Sequence, residues 1–588
     1  MRPLVQAVAE TRKYEANWMA LKLLEDDERV AAMVGREALS KTEKLQKIIE
    51  NRLGDEADIL IASSRYGFIN WLTQDTIKKA GRVTDSMSDK LDKVVLSRMF
   101  GIPIFLLAMY LMFMFTINLG GAFIDFFDIF AGTIFVDGFG NILEAIKSPA
   151  WLVTILAGGL GGGIQTMATF IPPIGFMFLC LSFLEDSGYM ARAAFVMDRA
   201  MRVVGLPGKS FIPMLVGFGC NVPAIMATRT LESERDRTLT IMMNPFMSCG
   251  ARLPVYALFA AAFFPTGGQN LVFLLYLIGI GFAVVTGLVL KKTLLKGEIT
   301  PFVMELPPYH LPTVKAVILS AYDRLKTFLF KAGKVLIPVI MVLAFLNSLG
   351  TDGTFGNEDS ENSALSSISK TITPVLKPFG VTDDNWPATV GIFTGIFAKE
   401  AVVGTLDALY GGMDAAAQGE EAEEGFSFWG AIGESFATIP ANLSDMAGTF
   451  LDPLGLSVGD VRDMSAAAED QEVSEGTFGS MVTLFGSKVA AFAYLLFVLL
   501  YFPCSAAIAA VYRETNLKWT LFAGFWTTFM AYFAAVIFYQ TATFGTHPAS
   551  SMMWIAVMLI AFAVVIALMK MVGRRDQAEM ALAVGARA

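Results

Sequence analysis

The stretch "GLPGKSFIPMLVGFGCNVPAIMATR", residues 205–229, opens with Gly-Lys-Ser, the ending of a phosphate-binding loop, and continues as an apolar run broken by glycine and proline. A P-loop needs Gly-x-x-x-x-Gly-Lys-Ser/Thr between a strand and a helix. The first of those glycines would fall at Val203, and no strand-like run precedes it. Lys209 then reads as an interfacial anchor, its charge in water and its stem along apolar surface. The apolar run beyond it carries more information. Pro213, Gly217, Gly219 and Pro223 break "FIPMLVGFGCNVPAIMA" too often for one regular helix. Broken backbone at membrane depth is tolerated only where it is buried in protein or lines a wet cavity. Secondary transporters build their sites near the bilayer midplane from such discontinuous helices.

Composition supports a membrane setting. Of 588 residues 54% are hydrophobic, 17% are charged and 48 are Phe, with a mean hydropathy of +0.55. Eight apolar stretches are long enough to cross a bilayer core of about 30 Å. They lie at 100–123, 150–171, 238–264, 271–291, 328–349, 485–511, 519–540 and 551–571. The first 98 residues differ, with 17 Lys/Arg, 16 Asp/Glu and no long apolar core. Leu45, Ile48, Ile49 and Leu53 recur there at helical spacing, which predicts a small soluble helical domain over 1–98 rather than a secretory leader. No feature points to a nucleic-acid partner.

Basic residues fix the expected orientation, because they collect on cytoplasmic flanks. A collar of Lys78, Lys79, Arg82, Lys90, Lys93 and Arg98 precedes the first span, and Arg574 and Arg575 follow the last. The segment between the fourth and fifth spans carries Lys291, Lys292, Lys296, Lys315, Arg324, Lys326, Lys331 and Lys334. Residues 411–480, on the opposite side, hold 14 acidic residues and one basic one, Arg462. Both termini are therefore expected in the cytoplasm, with 411–480 an external acidic insertion read as a solvated, partly disordered loop.

A second gate-like stretch, "YFPCSAAIAAVYR" at 501–513, repeats the design. Cys220 precedes Arg229 by nine residues and Cys504 precedes Arg513 by nine, about 13.5 Å of helix or half a bilayer core. Glu185 lies 35 residues before Cys220; Glu400 lies 104 before Cys504, or 34 once the 70-residue insertion is removed. The expected architecture is all-α: about eight spans with re-entrant broken helices and internal inverted repeats, over 99–349 with gate 205–229 and over 350–588 with gate 486–513.

Carboxylates inside apolar runs are functional by default, with Glu400–Lys399 and Glu185–Arg192 pairing as the plain alternative. Cys180, Cys220, Cys249 and Cys504 are scattered without a C-x-x-C, and the two histidines, His310 and His547, sit in Pro-flanked loops, which disfavours a closed zinc site. Sulfur suits softer metals and carboxylate harder ones. A mixed set of Cys220, Cys504, Glu185, Glu400, Asn221, Met243, Asn244 and Cys249 fits a borderline ion such as Fe²⁺, without separating it from Mn²⁺, Co²⁺ or Zn²⁺. Most of the 31 methionines are expected to pack, as are Cys180 and Cys249 in the plain reading.

Together, "EDSGYMARAAFVMDRAM", the run "GLPGKSFIPMLVGFGCNVPAIMATRTLESERDRTLTIMMNPFMSCGARLPVY", "FPCSAAIAA" and "RYGFINWLTQDTIKKAG" resemble FeoB, the bacterial ferrous iron transporter family, over nearly the whole chain. The resemblance implies a permease that moves Fe²⁺ through the inner membrane into the cytoplasm. It also implies that Cys220 and Cys504 sit in gate motifs lining the iron path, with Glu185 and Glu400 less directly matched. The family carries an amino-terminal GTP-binding domain. Here "KYEANWMALKLLEDDERV" resembles the helical domain that comes after it, and neither a P-loop nor an Asn-Lys-x-Asp motif is found. Control by GTP is thus expected only through a domain missing from this sequence, and GTP hydrolysis is not expected of it. Implied partners are that domain, a small FeoA-like or FeoC-like cytoplasmic protein and further copies of the chain. Two rivals remain: a nucleoside-permease-like transporter using Asn221, Asn244, Gln165 and Ser505, and a thiol enzyme, for which the usual histidine base is lacking.

Overall fold

In the computed structural model every regular element among the described residues is helical, and strand-type pairing is confined to one isolated bridge, Gly350 with Ser363. The described residues are 2–12, 14–34, 36–53, 57–76, 87–97, 99–264, 268–297, 306–358, 360–418, 427–449 and 473–585. Lys78, Lys79, Arg82 and Arg98 of the expected collar, and Arg462 of the acidic insertion, lie outside them.

The chain divides into two compact units, Met1–Met87 and Ser88–Ala588, so the boundary falls before the expected residue 98. The first is a helical unit around Val5, Ala9, Met19, Leu23, Val30 and Val34. Its Arg36–Leu53 helix carries the periodic Leu45, Ile48, Ile49 and Leu53. The second unit begins earlier than hydropathy implies because the short helix Met87–Val95 is tied to it. Asp92 accepts a two-pronged bond from Arg192 at 2.9 and 3.0 Å, and the guanidinium, 1% exposed, also lies over the Tyr309 ring at 3.9 Å.

Eight helical runs are long and apolar enough to cross a membrane. Five match the expected stretches closely, Val314–Ser348 begins 14 residues before the expected 328, and the first two extend well past their expected ends: Gly101–Ala145 and Ala150–Asp186. Both continue through wide π-helical turns at Phe115–Leu119, Thr133–Gly138 and Thr154–Gly161 instead of ending. Gly159 and Gly163 in the second run let it approach the Val314–Ser348 helix at Met341 and Ile337, the small-residue contact that membrane helices favour.

Burial separates the runs by role. Only 11% of the most apolar window is buried for Pro548–Arg575 and 17% for Val314–Ser348, against 72% for Glu234–Phe263 and 67% for Lys488–Glu514. The two most buried spans are the two with interrupted helices, as expected where broken backbone must be shielded from lipid.

The acidic insertion departs from the loop expectation. Helix Ala401–Gln418 runs into it, and Phe428–Thr449 forms a helix inside it. Phe436 of that helix stacks edge-on against Phe126 at 5.1 Å and Phe130 at 6.4 Å, and Asn442 donates to Asp125 at 2.5 Å. Net charge concealed this amphipathic face.

Candidate functional site: four helix breaks in the core

Four interruptions meet in the buried centre. In the first, Phe211–Gly219 stops at Cys220, whose extended backbone (φ −153°, ψ 130°) separates it from Asn221–Ala227. In the third, Trp386–Phe397 stops at Ala398 in nearly the same conformation (φ −143°, ψ 116°), followed by Lys399, Glu400 and Ala401–Gln418. The second and fourth form another matching pair. Cys249 (φ −81°, ψ 161°) precedes the Gly250–Arg252 turn and Leu253–Phe263; Cys504 (φ −58°, ψ 157°) precedes Ser505–Glu514. Break geometry thus pairs Cys220 with Ala398 and Cys249 with Cys504, whereas the Cys–Arg spacing paired Cys220 with Cys504.

The Gly-Lys-Ser is a single 3₁₀ turn, Gly208–Ser210, capped by Asp198, whose carboxylate accepts from Gly208 N at 2.9 Å. Lys209 reaches Glu232 at 3.1 Å. No phosphate loop forms.

Cys220, Cys249, Cys504 and Glu400 are electrostatic neighbours, and all three thiols are only half-buried. Against the first break lies an amide pair. Asn244 is fully buried, with neither Oδ1 nor Nδ2 hydrogen-bonded. Asn221 donates to Gly217 O at 3.2 Å and Asn244 O at 3.0 Å when its Nδ2 faces them. Gly217 is needed here, since a Cβ would meet both amides and Met247 at 3.1–3.3 Å.

Two cations are missing from the expected set. Lys399 is 3% exposed; its Nζ donates to Phe502 O at 3.0 Å and lies 3.3 Å from the Tyr501 ring centroid. Arg252, 1% exposed, donates to Pro245 O at 3.2 Å and Met247 O at 3.4 Å. Both bind carbonyls released by helix breaks. Lys399 within an apolar run was the available signal; the plain Glu400–Lys399 pairing gives way to this carbonyl contact, with Glu400 still a neighbour.

Other expected residues lie elsewhere. Glu185, at the end of Ile171–Asp186, is 52% exposed and bonded to Arg324 at 2.7 Å, not to Arg192. Met243 is fully buried with its sulfur against Gly287, where a Cβ would come within 2.8 Å. Its thioether fills a glycine notch in the Gly268–Lys292 helix instead of facing the breaks. Cys180 is packed against the core. Among the described residues no group of three or more His, Cys, Asp or Glu side chains is close enough to hold a metal ion. An apolar groove of about 230 Å³ lined by Leu294, Phe522, Phe525, Val565 and Met569 lacks a polar lining to hold one.

The helices after Cys220 and Cys504 pack together, and their far ends are joined. Arg229 makes a two-pronged bond to Glu514 at 2.6 and 2.7 Å, beside Arg513.

Among the described residues, eight helical runs able to cross a membrane, the two most buried of them interrupted, define a polytopic membrane protein. Comparison agrees and is more specific. Residues 167–263 and 329–518 match the "Gate: Nucleoside recognition" family, 272–324 the ferrous iron transport protein B C terminus, and 1–78 the FeoB cytosolic helical domain. The Fe(2+) transporter FeoB of Legionella pneumophila strain Philadelphia 1 is 47% identical over 558 residues, 94% of this chain and 72% of the relative. That of Escherichia coli K12 is 44% identical over 569 residues, 96% and 72% of the two chains. No solved structure matches significantly. The chain belongs to the FeoB family of Fe(2+) transporters.

Proposed function

We propose that this chain moves Fe²⁺ inward across the bacterial inner membrane, along the seam where the four helix breaks meet. The observation that carries the reading is that Cys220, Cys249, Cys504 and Glu400 are electrostatic neighbours at the helix breaks. Iron arriving from outside exchanges part of its water for the Glu400 carboxylate and break carbonyls, then passes along the thiols. A path must bind weakly enough to release, and a set of ligands spread over four breaks suits transit better than a closed cage would. Glu185 and Met243 are left out of this path. The two halves act as inverted repeats, both termini lie in the cytoplasm, and a GTP-binding domain outside this sequence controls the gates. In this reading the Asp92–Arg192 contact carries that control from the short Met87–Val95 helix toward the helix before the first gate.

The buried, unpartnered Asn244 amide beside Asn221 favours a second reading, a nucleoside site, as does the name of the matching gate family. Ligand-induced stabilisation separates the two. In anaerobic thermal unfolding of the detergent-purified chain, Fe²⁺ raises the midpoint and a panel of nucleosides does not. Cys220→Ser/Cys504→Ser abolishes the shift. Stabilisation by a nucleoside alone contradicts the iron reading.

A further inference from the structure

The residue that occupies the best cation position in this core is a lysine. The Tyr501–Cys504 segment separates the helices Lys488–Leu500 and Ser505–Glu514, and Phe502 O within that gap accepts from Lys399. The ammonium takes that carbonyl at 3.0 Å, covers the Tyr501 face at 3.3 Å and has Cys504, Cys249 and Glu400 as charged or polar neighbours. A backbone carbonyl and an aromatic face hold the ammonium directly, with two thiols and a carboxylate among its electrostatic neighbours, surroundings that suit a cation and not an apolar packing residue. The Tyr501 hydroxyl and Arg252 Nε, both buried, are unpartnered beside it.

We propose that Lys399 is a tethered occupant of the cation position formed by the Phe502 carbonyl, the Tyr501 ring and the Cys504 and Cys249 thiols, which a divalent ion must displace to pass. The inference rests on reading this seam as the ion path. An empty carbonyl-and-thiol position would hold a divalent ion tightly and stall it; an ammonium on a flexible four-carbon stem fills the position between passages and swings aside. Lys399 joins the third break to the fourth, so its displacement also frees Trp386–Phe397 from Lys488–Leu500 at this point.

Co²⁺ tests the idea as a spectroscopic stand-in, since cobalt–thiolate absorption in the near ultraviolet reports sulfur ligation directly. The full chain is titrated anaerobically in detergent as parent, Lys399→Met, Lys399→Gln and Lys399→Arg, each also with Cys504→Ser. The expected result is at least tenfold tighter Co²⁺ binding in Lys399→Met and Lys399→Gln, parent-like binding in Lys399→Arg, and loss of the band with Cys504→Ser. Unchanged or weaker binding in both neutral variants, with or without a lower unfolding midpoint, marks Lys399 as a structural staple and overturns the proposal. A thiolate band of equal strength with and without Cys504 overturns the position assigned to it. A band missing from every protein overturns the thiol path itself, and the inference with it.

Discussion

Asn244 carries the plainest cost of a buried polar group in this core. Burying an amide without hydrogen bonds costs about 1–3 kcal/mol, and both its side-chain polar atoms are unpartnered. Asn244→Leu is therefore expected to raise the unfolding midpoint, and a loss of iron uptake in the same variant places the amide on the ion path. Scanning calorimetry in detergent and uptake by proteoliposomes read the two effects. Asn244 and Asn221 were legible in the sequence because they are polar residues in an apolar, proline-broken run. Met243 misled for the converse reason: thioethers ligate metals and fill gaps with equal ease, and only the facing Gly287 decides which. Lys399 entered the sequence reading only as the plain alternative partner of Glu400, because its carbonyl partner, Phe502 O, lies 103 residues away.

Among the elements, the broken helices were the most legible, since proline and glycine act locally and their consequence does not depend on distant residues. Which breaks correspond was not legible, because Cys249 lies in "NPFMSCGAR" and Cys504 in "YFPCSAAIAA" with few letters in common. Their shared backbone conformation appears only in three dimensions. The Arg229–Glu514 bond joins the far ends of the two helices that begin after Cys220 and Cys504. Exposed pairs contribute about 0–1 kcal/mol, and Arg229 is 51% exposed, but the Glu514 side chain is 4% exposed. Glu514→Gln is expected to lower stability by about 1 kcal/mol and to accelerate leakage, as a latch would. Arg229→Glu/Glu514→Arg restores both, measured by thermal unfolding and by passive Fe²⁺ flux into vesicles. An unrepaired double variant removes the latch.

At the scale of the molecule, hydropathy identified the eight spans and their order, because a bilayer imposes one length on every crossing helix. It misjudged what is helical but charged. The Phe428–Thr449 helix was hidden by the acidic residues around it, and Met87–Val95, expected as part of the soluble helical domain, packs with the second unit instead; the docking that gives each its place is carried by a few side chains. For Met87–Val95 the decisive bond is Asp92 to the buried Arg192. Removing one partner of such a pair costs about 3–5 kcal/mol, so Asp92→Ala is expected to lower the unfolding midpoint and to free this helix to proteolysis. An unshifted midpoint contradicts the anchoring role.

If iron crosses on the thiols of the broken helices, anaerobic uptake of radiolabelled Fe²⁺ into proteoliposomes must depend on them. The chain and its Cys220→Ser/Cys504→Ser variant are compared at equal reconstitution, with an FeoB GTP-binding domain supplied to both. Uptake by the parent and at least a tenfold loss in the variant are expected. Equal uptake by the two proteins contradicts the thiol path and moves it to oxygen ligands alone.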